Sequence, residues 1–140
     1  VGVVALTPDN NIILVSQYRS SFDEFVLEIP AGMRDIVGED PARTAWRELA
    51  EETGYIPGTV EFLGSCLSSP GVTDSVVELF IAREVVVGDS APEGPEELEM
   101  TVLSIPFVQA LRMVEHGEIT DGKSVVGILL VARRFHDLGI

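Results

Sequence analysis

Leu27-Glu28-Ile29-Pro30-Ala31-Gly32 and, after a short loop, Asp40-Pro41-Ala42-Arg43-Thr44-Ala45-Trp46-Arg47-Glu48-Leu49-Ala50-Glu51-Glu52-Thr53-Gly54 decide how this chain is read. Phe25–Ile29 is a short strand stopped at Pro30. The second piece has both ends of a helix written into it. Asp40 is a side-chain acceptor at the N-cap, Pro41 suits the first helical position, and Gly54 suits a left-handed C-terminal cap. Between them Ala42, Ala45, Trp46, Leu49 and Thr53 recur at helical spacing as the expected buried stripe, with Trp46 read as core.

The acids on this helix are the informative feature. Glu48 and Glu52 are four apart and Glu48 and Glu51 three apart, so all three project from one side. At 100° per residue they fill a wedge roughly 100° wide beside the Ala45/Leu49 stripe. Like charges at such spacings destabilise an isolated helix by a few tenths of a kcal/mol per pair. Glu51 and Glu52 also sit near the C-terminus, where the helix dipole disfavours anions. Arg47 can neutralise Glu51 but not all three. A hard cation with oxygen ligands relieves the arrangement, and Mg²⁺ is held in this way, by one or two carboxylates plus substrate phosphate. The plainer reading is a solvated acidic face on an acidic protein.

Working outward, Gly2–Leu6 and Ile12–Tyr18 flank Thr7-Pro8-Asp9-Asn10-Asn11 and predict a hairpin. Thr59–Cys66, Val76–Val87 and Val102–Ile105 are further strands. Phe107, Ala110, Leu111 and Val114 mark a second helix closed by His116-Gly117, and Ser124–Phe135 a third, apolar on most faces. Strands mixed with separated helices predict a layered α/β (α+β) domain, one unit over residues 1–140. The chain opens on Val1 inside a strand, so an upstream segment is expected.

Composition narrows the function. Nine Lys+Arg against 23 Asp+Glu leave a net charge of −14, which argues against nucleic acid and anionic lipid as partners. An anionic substrate would then need positive charge from elsewhere, for which a divalent metal is the obvious source. The longest apolar run, Val125–Ala132, is far short of the ~20 residues of a membrane helix. A single cysteine, Cys66, excludes an internal disulfide framework and fits a reducing, cytoplasmic setting. Cys66 reads as a small core hydrophobe, and neither His116 nor His136 as a metal ligand.

From Glu39 through Arg47-Glu48-Leu49-Ala50-Glu51-Glu52-Thr53-Gly54-Tyr55 the chain resembles the Nudix box, G-x5-E-x7-R-E-U-x-E-E-x-G-U. One residue is added upstream, between Gly32 and Glu39. Val15-Ser16-Gln17-Tyr18-Arg19, Leu27–Gly32, Ser69-Pro70-Gly71 and Ile119-Thr120-Asp121-Gly122-Lys123-Ser124 resemble segments of the ADP-ribose and nucleoside-diphosphate-sugar pyrophosphatase branch.

That resemblance implies an α/β/α sandwich with a mixed central sheet. It also implies an Mg²⁺- or Mn²⁺-dependent hydrolase that splits ADP-ribose or a related nucleotide sugar into a nucleoside monophosphate and a sugar phosphate. Carried over by position, it makes Glu48, Glu51, Glu52 and the Ala31 carbonyl metal ligands. Arg47 would orient a catalytic glutamate. Arg19, Pro70 and Gly71 would contact substrate, Glu96 would be the general base with Glu97 and Glu93 as alternates, and the molecule would be a homodimer. Ser75 stands where relatives often carry Glu, with Glu78 a candidate to compensate. Two other readings keep the box: hydrolysis of a nucleoside triphosphate or dinucleotide, and a module that binds a nucleotide sugar without cutting it.

Overall fold

The computed structural model describes residues 1–88 and 100–138. Its elements are β1 (Gly2–Leu6), β2 (Asn11–Arg19), β3 (Glu24–Glu28), α1 (Pro41–Thr53), β4 (Tyr55–Ile56), β5 (Thr59–Leu67), β6 (Val76–Arg83), β7 (Val86–Val87), β8 (Met100–Pro106), α2 (Phe107–Glu115) and α3 (Gly122–Arg134). The strand path is β3-β2-β1-β6-β5, with β8 also paired to β2. β1 and β2 form the expected antiparallel hairpin, Ala5 opposite Ile13, across a turn in which the Thr7 hydroxyl accepts the Asn11 N–H at 3.0 Å. β1 runs parallel to β6, Val3 opposite Phe80, which makes the sheet mixed.

Two-residue alternation sorts the side chains into two cores. Val4, Leu6, Ile12, Leu14, Leu79 and Ile81 face one side, where Phe107 and Ala110 of α2 and Ile128 and Val131 of α3 cover them. Val3, Ala5, Ile13, Phe80 and Ala82 face the other, under Ala45 and Leu49 of α1. The result is the α/β/α sandwich expected. Central β1, buried on both faces, is apolar throughout (Gly-Val-Val-Ala-Leu), as doubly covered strands are. Gly127 lets α3 lie close on the sheet, since a Cβ there would stand 2.9 Å from Val4 Cγ2. Among the described residues no helix is long and apolar enough to cross a membrane.

The α1 caps form as expected. The Asp40 carboxylate accepts the Ala42 N–H at 2.9 Å, and Gly54, at φ 78°, donates to the Ala50 carbonyl. Trp46 corrects the sequence reading: it is exposed, with the Arg43 guanidinium 5.9 Å from its ring centre. The buried positions are instead Thr44, Ala45, Leu49 and Thr53. Val76–Val87 is likewise two strands, not one. Glu84 takes φ 53° and breaks the run, so that β7 turns away to pair with the two-residue β4.

Leu49 is fully buried beneath α1. Leu49→Ala is expected to lower stability by about 2–5 kcal/mol, whereas Leu129→Ala, at an exposed site on α3, shifts it by no more than about 0.5. Urea unfolding of the two variants checks this.

Candidate active site

The site begins where β3 ends. Pro30 accepts the Val3 N–H at 2.9 Å, the Gly32 N–H reaches the Val1 carbonyl at 3.1 Å, and Ala31 bridges to Gly2. Residues 30–32 are thereby fixed against the start of β1. Onto this short platform α1 delivers two carboxylates from successive turns. Glu52 Oε2 accepts the Ala31 N–H at 3.2 Å. Glu48 lies so close to Gly32 that a Cβ there would stand 2.1 Å from its carboxyl carbon. Glycine at this position is a steric requirement of the site.

Arg47 organises the surrounding acids. Its Nε and Nη2 each donate to Glu39 at 3.1 Å, its Nη1 donates to Glu48 and Glu51 at 3.2 Å, and Nη2 also reaches Asp35 at 3.3 Å. Thr44 Oγ1 donates to Glu39 at 2.7 Å. The bonds from Arg47 and then Thr44 hold the Glu39 carboxyl below its ordinary range, and Glu39 in turn raises the guanidinium further. The additional residue upstream is taken up in a turn, where Glu39 donates to the Ile36 carbonyl and Gly38 adopts φ 79°. Glu39 therefore still reaches Arg47. Glu51 differs from its neighbours: its side chain is 60% exposed against 16% for Glu48, placing it on the solvent rim.

Burial sets the electrostatics of the pair. It pushes the Glu52 carboxyl up to about 7, helped by Glu48 and Glu28 and opposed by the Ala31 N–H. Burial likewise raises Glu48, with Arg47 opposing. Two acids driven toward protonation on one face fit a hard cation. Among the described residues no three His, Cys, Asp or Glu side chains converge into a ready-made cage. Glu48 and Glu52 could supply carboxylate oxygens to such an ion, with the remainder from water or substrate, as Mg²⁺ prefers.

Arg19 and Lys123, within electrostatic reach of Glu52, form a cationic wall. Arg19 donates twice to Glu28, at 2.7 and 2.8 Å. Lys123, on the first turn of α3, donates to the same carboxylate at 2.8 Å and to Asp121 at 3.0 Å. Ser124 completes the chain, accepting the Ile29 N–H at 2.8 Å and donating to Asp121 at 2.5 Å. Glu28 is 3% exposed, and the two cations keep it below the usual carboxylate range against the opposing effect of burial.

A cleft of about 550 Å³ is lined by Arg19, Ala31, Gly32, Arg34, Ser75, Glu78 and Lys123. Arg34 spans it from the Glu39 carbonyl at 2.9 Å to Glu78 at 3.1 Å. Glu28, Arg34 and Lys123 were not read as site residues from sequence. Lys123 lies inside the Ile119–Ser124 motif, but nothing local connects it to Glu28.

Of the remaining candidates, Pro70 and Gly71 are exposed in the β5–β6 loop, where Val72 and Thr73 donate back to the Ser69 carbonyl. Ser68 and Ser75, near the loop's base, line a cavity beside Lys123. Cys66 is partly buried against the α3-side core, and His116 caps the C-terminus of α2. Glu93, Glu96 and Glu97 lie outside the described residues.

Known proteins resemble this chain in sequence and in fold. The NUDIX domain model matches residues 1–126. The methanol dehydrogenase activator of Bacillus methanolicus is 36% identical over 128 residues, 91% of this chain and 69% of that protein. The ADP-ribose pyrophosphatase of Bacillus subtilis is 37% identical over 128 residues, with the same two coverages. A crystal structure of an ADP compounds hydrolase superposes with a TM-score of 0.81 at 21% identity, covering 94% of this chain and 69% of that one, a likeness of fold. The chain thus spans about two thirds of each of these proteins.

Gly32→Ala is expected to displace the Glu48 carboxylate and lower turnover about a hundredfold or more. Its melting temperature stays near that of the wild type, because the clash is with the end of a flexible side chain. Paired kinetics and thermal melts separate the two effects.

The raised Glu52 carboxyl has its own signature. Folded metal-free protein keeps that proton up to about pH 7, whereas the unfolded chain releases it near 4.5, so stability from this group falls as pH rises between those values. Glu28 and Glu39, held low, contribute stability above the ordinary carboxylate range that is lost in acid. In EDTA, Glu52→Gln is therefore expected to be more stable than wild type at pH 8, by on the order of 1–3 kcal/mol. The gap closes toward pH 5, as melts across that range will show.

Proposed function

The chain belongs to the NUDIX domain family, and from that premise we propose that it hydrolyses the pyrophosphate bond of ADP-ribose or a related nucleoside-diphosphate sugar. The products are a nucleoside monophosphate and a sugar phosphate. The observation that carries this reading is that two charge sets meet at one cleft. Glu48 and Glu52 stand against Ala31–Gly32, which line the cleft together with Arg19, Arg34 and Lys123. The 37% identical relative named ADP-ribose pyrophosphatase supports the substrate class.

Each residue then has a role. Arg19 and Lys123 bind the diphosphate, their positions set by Glu28. Arg47 holds Glu48 and Glu51 in place without touching substrate, its fork being taken up by carboxylates. Glu48, Glu52 and the Ala31 carbonyl hold Mg²⁺ or Mn²⁺, with Glu51 at the rim. When bound, such an ion neutralises diphosphate charge and lowers the pKa of a coordinated water. Glu96 is proposed as the general base, and a homodimer as the working assembly.

The test is product analysis. With Mg²⁺ and ADP-ribose, AMP and ribose 5-phosphate are expected, and Glu52→Gln is expected to lower kcat about a hundredfold or more with an unchanged circular dichroism spectrum. Undiminished turnover in Glu52→Gln would reject the metal assignment. Pyrophosphate released from a nucleoside triphosphate, with no cleavage of nucleotide sugars, would move the substrate to another class. Tight binding in Mg²⁺ without any product would make the chain a binding module.

A further inference from the structure

Arg34 lines the cleft beside Arg19 and Lys123 but is held in a different way. It stands in the loop between β3 and α1, within the stretch Gly32–Glu39 that is one residue longer than the Nudix box. Its two terminal nitrogens have separate partners. Nη2 donates to the Glu39 carbonyl at 2.9 Å, which ties the guanidinium to the end of its own loop. Nη1 donates to the Glu78 carboxylate on β6 at 3.1 Å.

The two carboxylates that hold these cations differ in how firmly they do so. Glu28 is 3% exposed and accepts two bonds from Arg19 and a third from Lys123, all within 2.8 Å. Fork pairing of this kind is among the stronger ionic contacts. Glu78 accepts a single bond from Arg34, and the two side chains are 28% and 43% exposed. An ion pair of that sort contributes little, because water and salt screen both partners. Arg19 and Lys123 therefore keep Glu28 when an anion arrives, whereas Arg34 is free to exchange its partner.

Position makes the exchange relevant to the site. Arg34 and Glu78 share the cleft with Ala31 and Gly32, and the Glu48 carboxylate is pressed onto Gly32. The Val1 nitrogen, 2.8 Å from the Gly32 carbonyl oxygen, lies within electrostatic reach of Glu78, Glu48, Arg34 and Lys123. The pair thus stands at the same platform as the acids of α1. A diphosphate offers a guanidinium two oxygens in fork geometry, where Glu78 offers one bond.

We propose that Arg34 is a third phosphate-binding cation, held by Glu78 in the free protein and passed to a phosphoryl oxygen of the diphosphate when a nucleotide sugar binds. Glu78 is its counter-ion and competes with the ligand for it, so the two residues act on substrate affinity in opposite directions. The inference rests on the pyrophosphatase reading above.

The experiment measures ADP-ribose turnover with Mg²⁺ in wild type, Arg34→Gln, Glu78→Gln and the double variant. Arg34→Gln is expected to raise KM about tenfold, and Glu78→Gln to lower it about threefold. In the double variant KM equals that of Arg34→Gln, because Glu78 acts through Arg34. An unchanged KM in Arg34→Gln overturns the proposal. So does a KM raised in both single variants, the mark of a pair that only braces the loop. A KM that falls equally when Glu78→Gln is added to Arg34→Gln overturns it as well, since Glu78 would then repel the ligand without acting on Arg34. If wild type cleaves no nucleoside-diphosphate compound, the pyrophosphatase reading fails first, and the same four proteins are compared by their Kd for ADP in calorimetry. The same order of affinities there upholds Arg34 as a phosphate ligand, and equal affinities or no binding overturn it.

Discussion

Glu48 and Glu52 are like charges one helical turn apart, pressed onto the backbone of two residues at a strand end. Water would solvate them better, and burial raises the proton affinity of both. The pair persists because rigid elements hold it from both sides. Leu49 and Ala45 anchor α1 in one core, and β1 pins Pro30–Gly32 through backbone hydrogen bonds. Neither anchor can slide without taking its helix or strand out of a packed layer. The unfavourable electrostatics are thus sustained by apolar burial elsewhere, as stored strain at functional sites is.

Arg47 and the Glu28 cluster solve two different problems. Arg47 gathers Glu39, Glu48, Glu51 and Asp35 and leaves Glu52 with no guanidinium bond. Glu28 does the reverse: one buried carboxylate collects two cations and fixes them at the cleft wall. Lys123 and Ser124 also tie α3 to the end of β3, so the helix that covers one face of the sheet helps position the platform of the site.

What could be read from sequence follows the range of the forces involved. The caps and carboxylate wedge of α1 depend on residues within a few positions of each other, so Asp40, Gly54, Glu48 and Glu52 were legible in their own segment. The hairpin and the layered fold followed from apolar alternation. Trp46 was misread because helical spacing alone does not say where the apolar stripe ends, and its ring lies under Arg43 instead. The β6–β7 break rests on one residue at positive φ, Glu84, a type with no special preference for it. The Glu28–Lys123 bond joins positions 95 residues apart, and only the topology of the sheet brings them together.

The same distinction between local and global resolves the question posed by the net charge. A chain at −14 repels anions at long range, but screening at physiological salt limits that field to about 8 Å. The cleft is lined by Arg19, Lys123 and Arg34, the last paired to Glu78, and the first two are held by a carboxylate that is 3% exposed. Glu28 therefore organises the wall while offering a ligand little of its own oxygen surface. Glu39 is engaged in the same way, its carboxylate taken up by Arg47 and Thr44. Among the described residues, Glu48 and Glu52 are half-buried acids not fully taken up by cations, so the demand for positive charge is concentrated beside Ala31–Gly32.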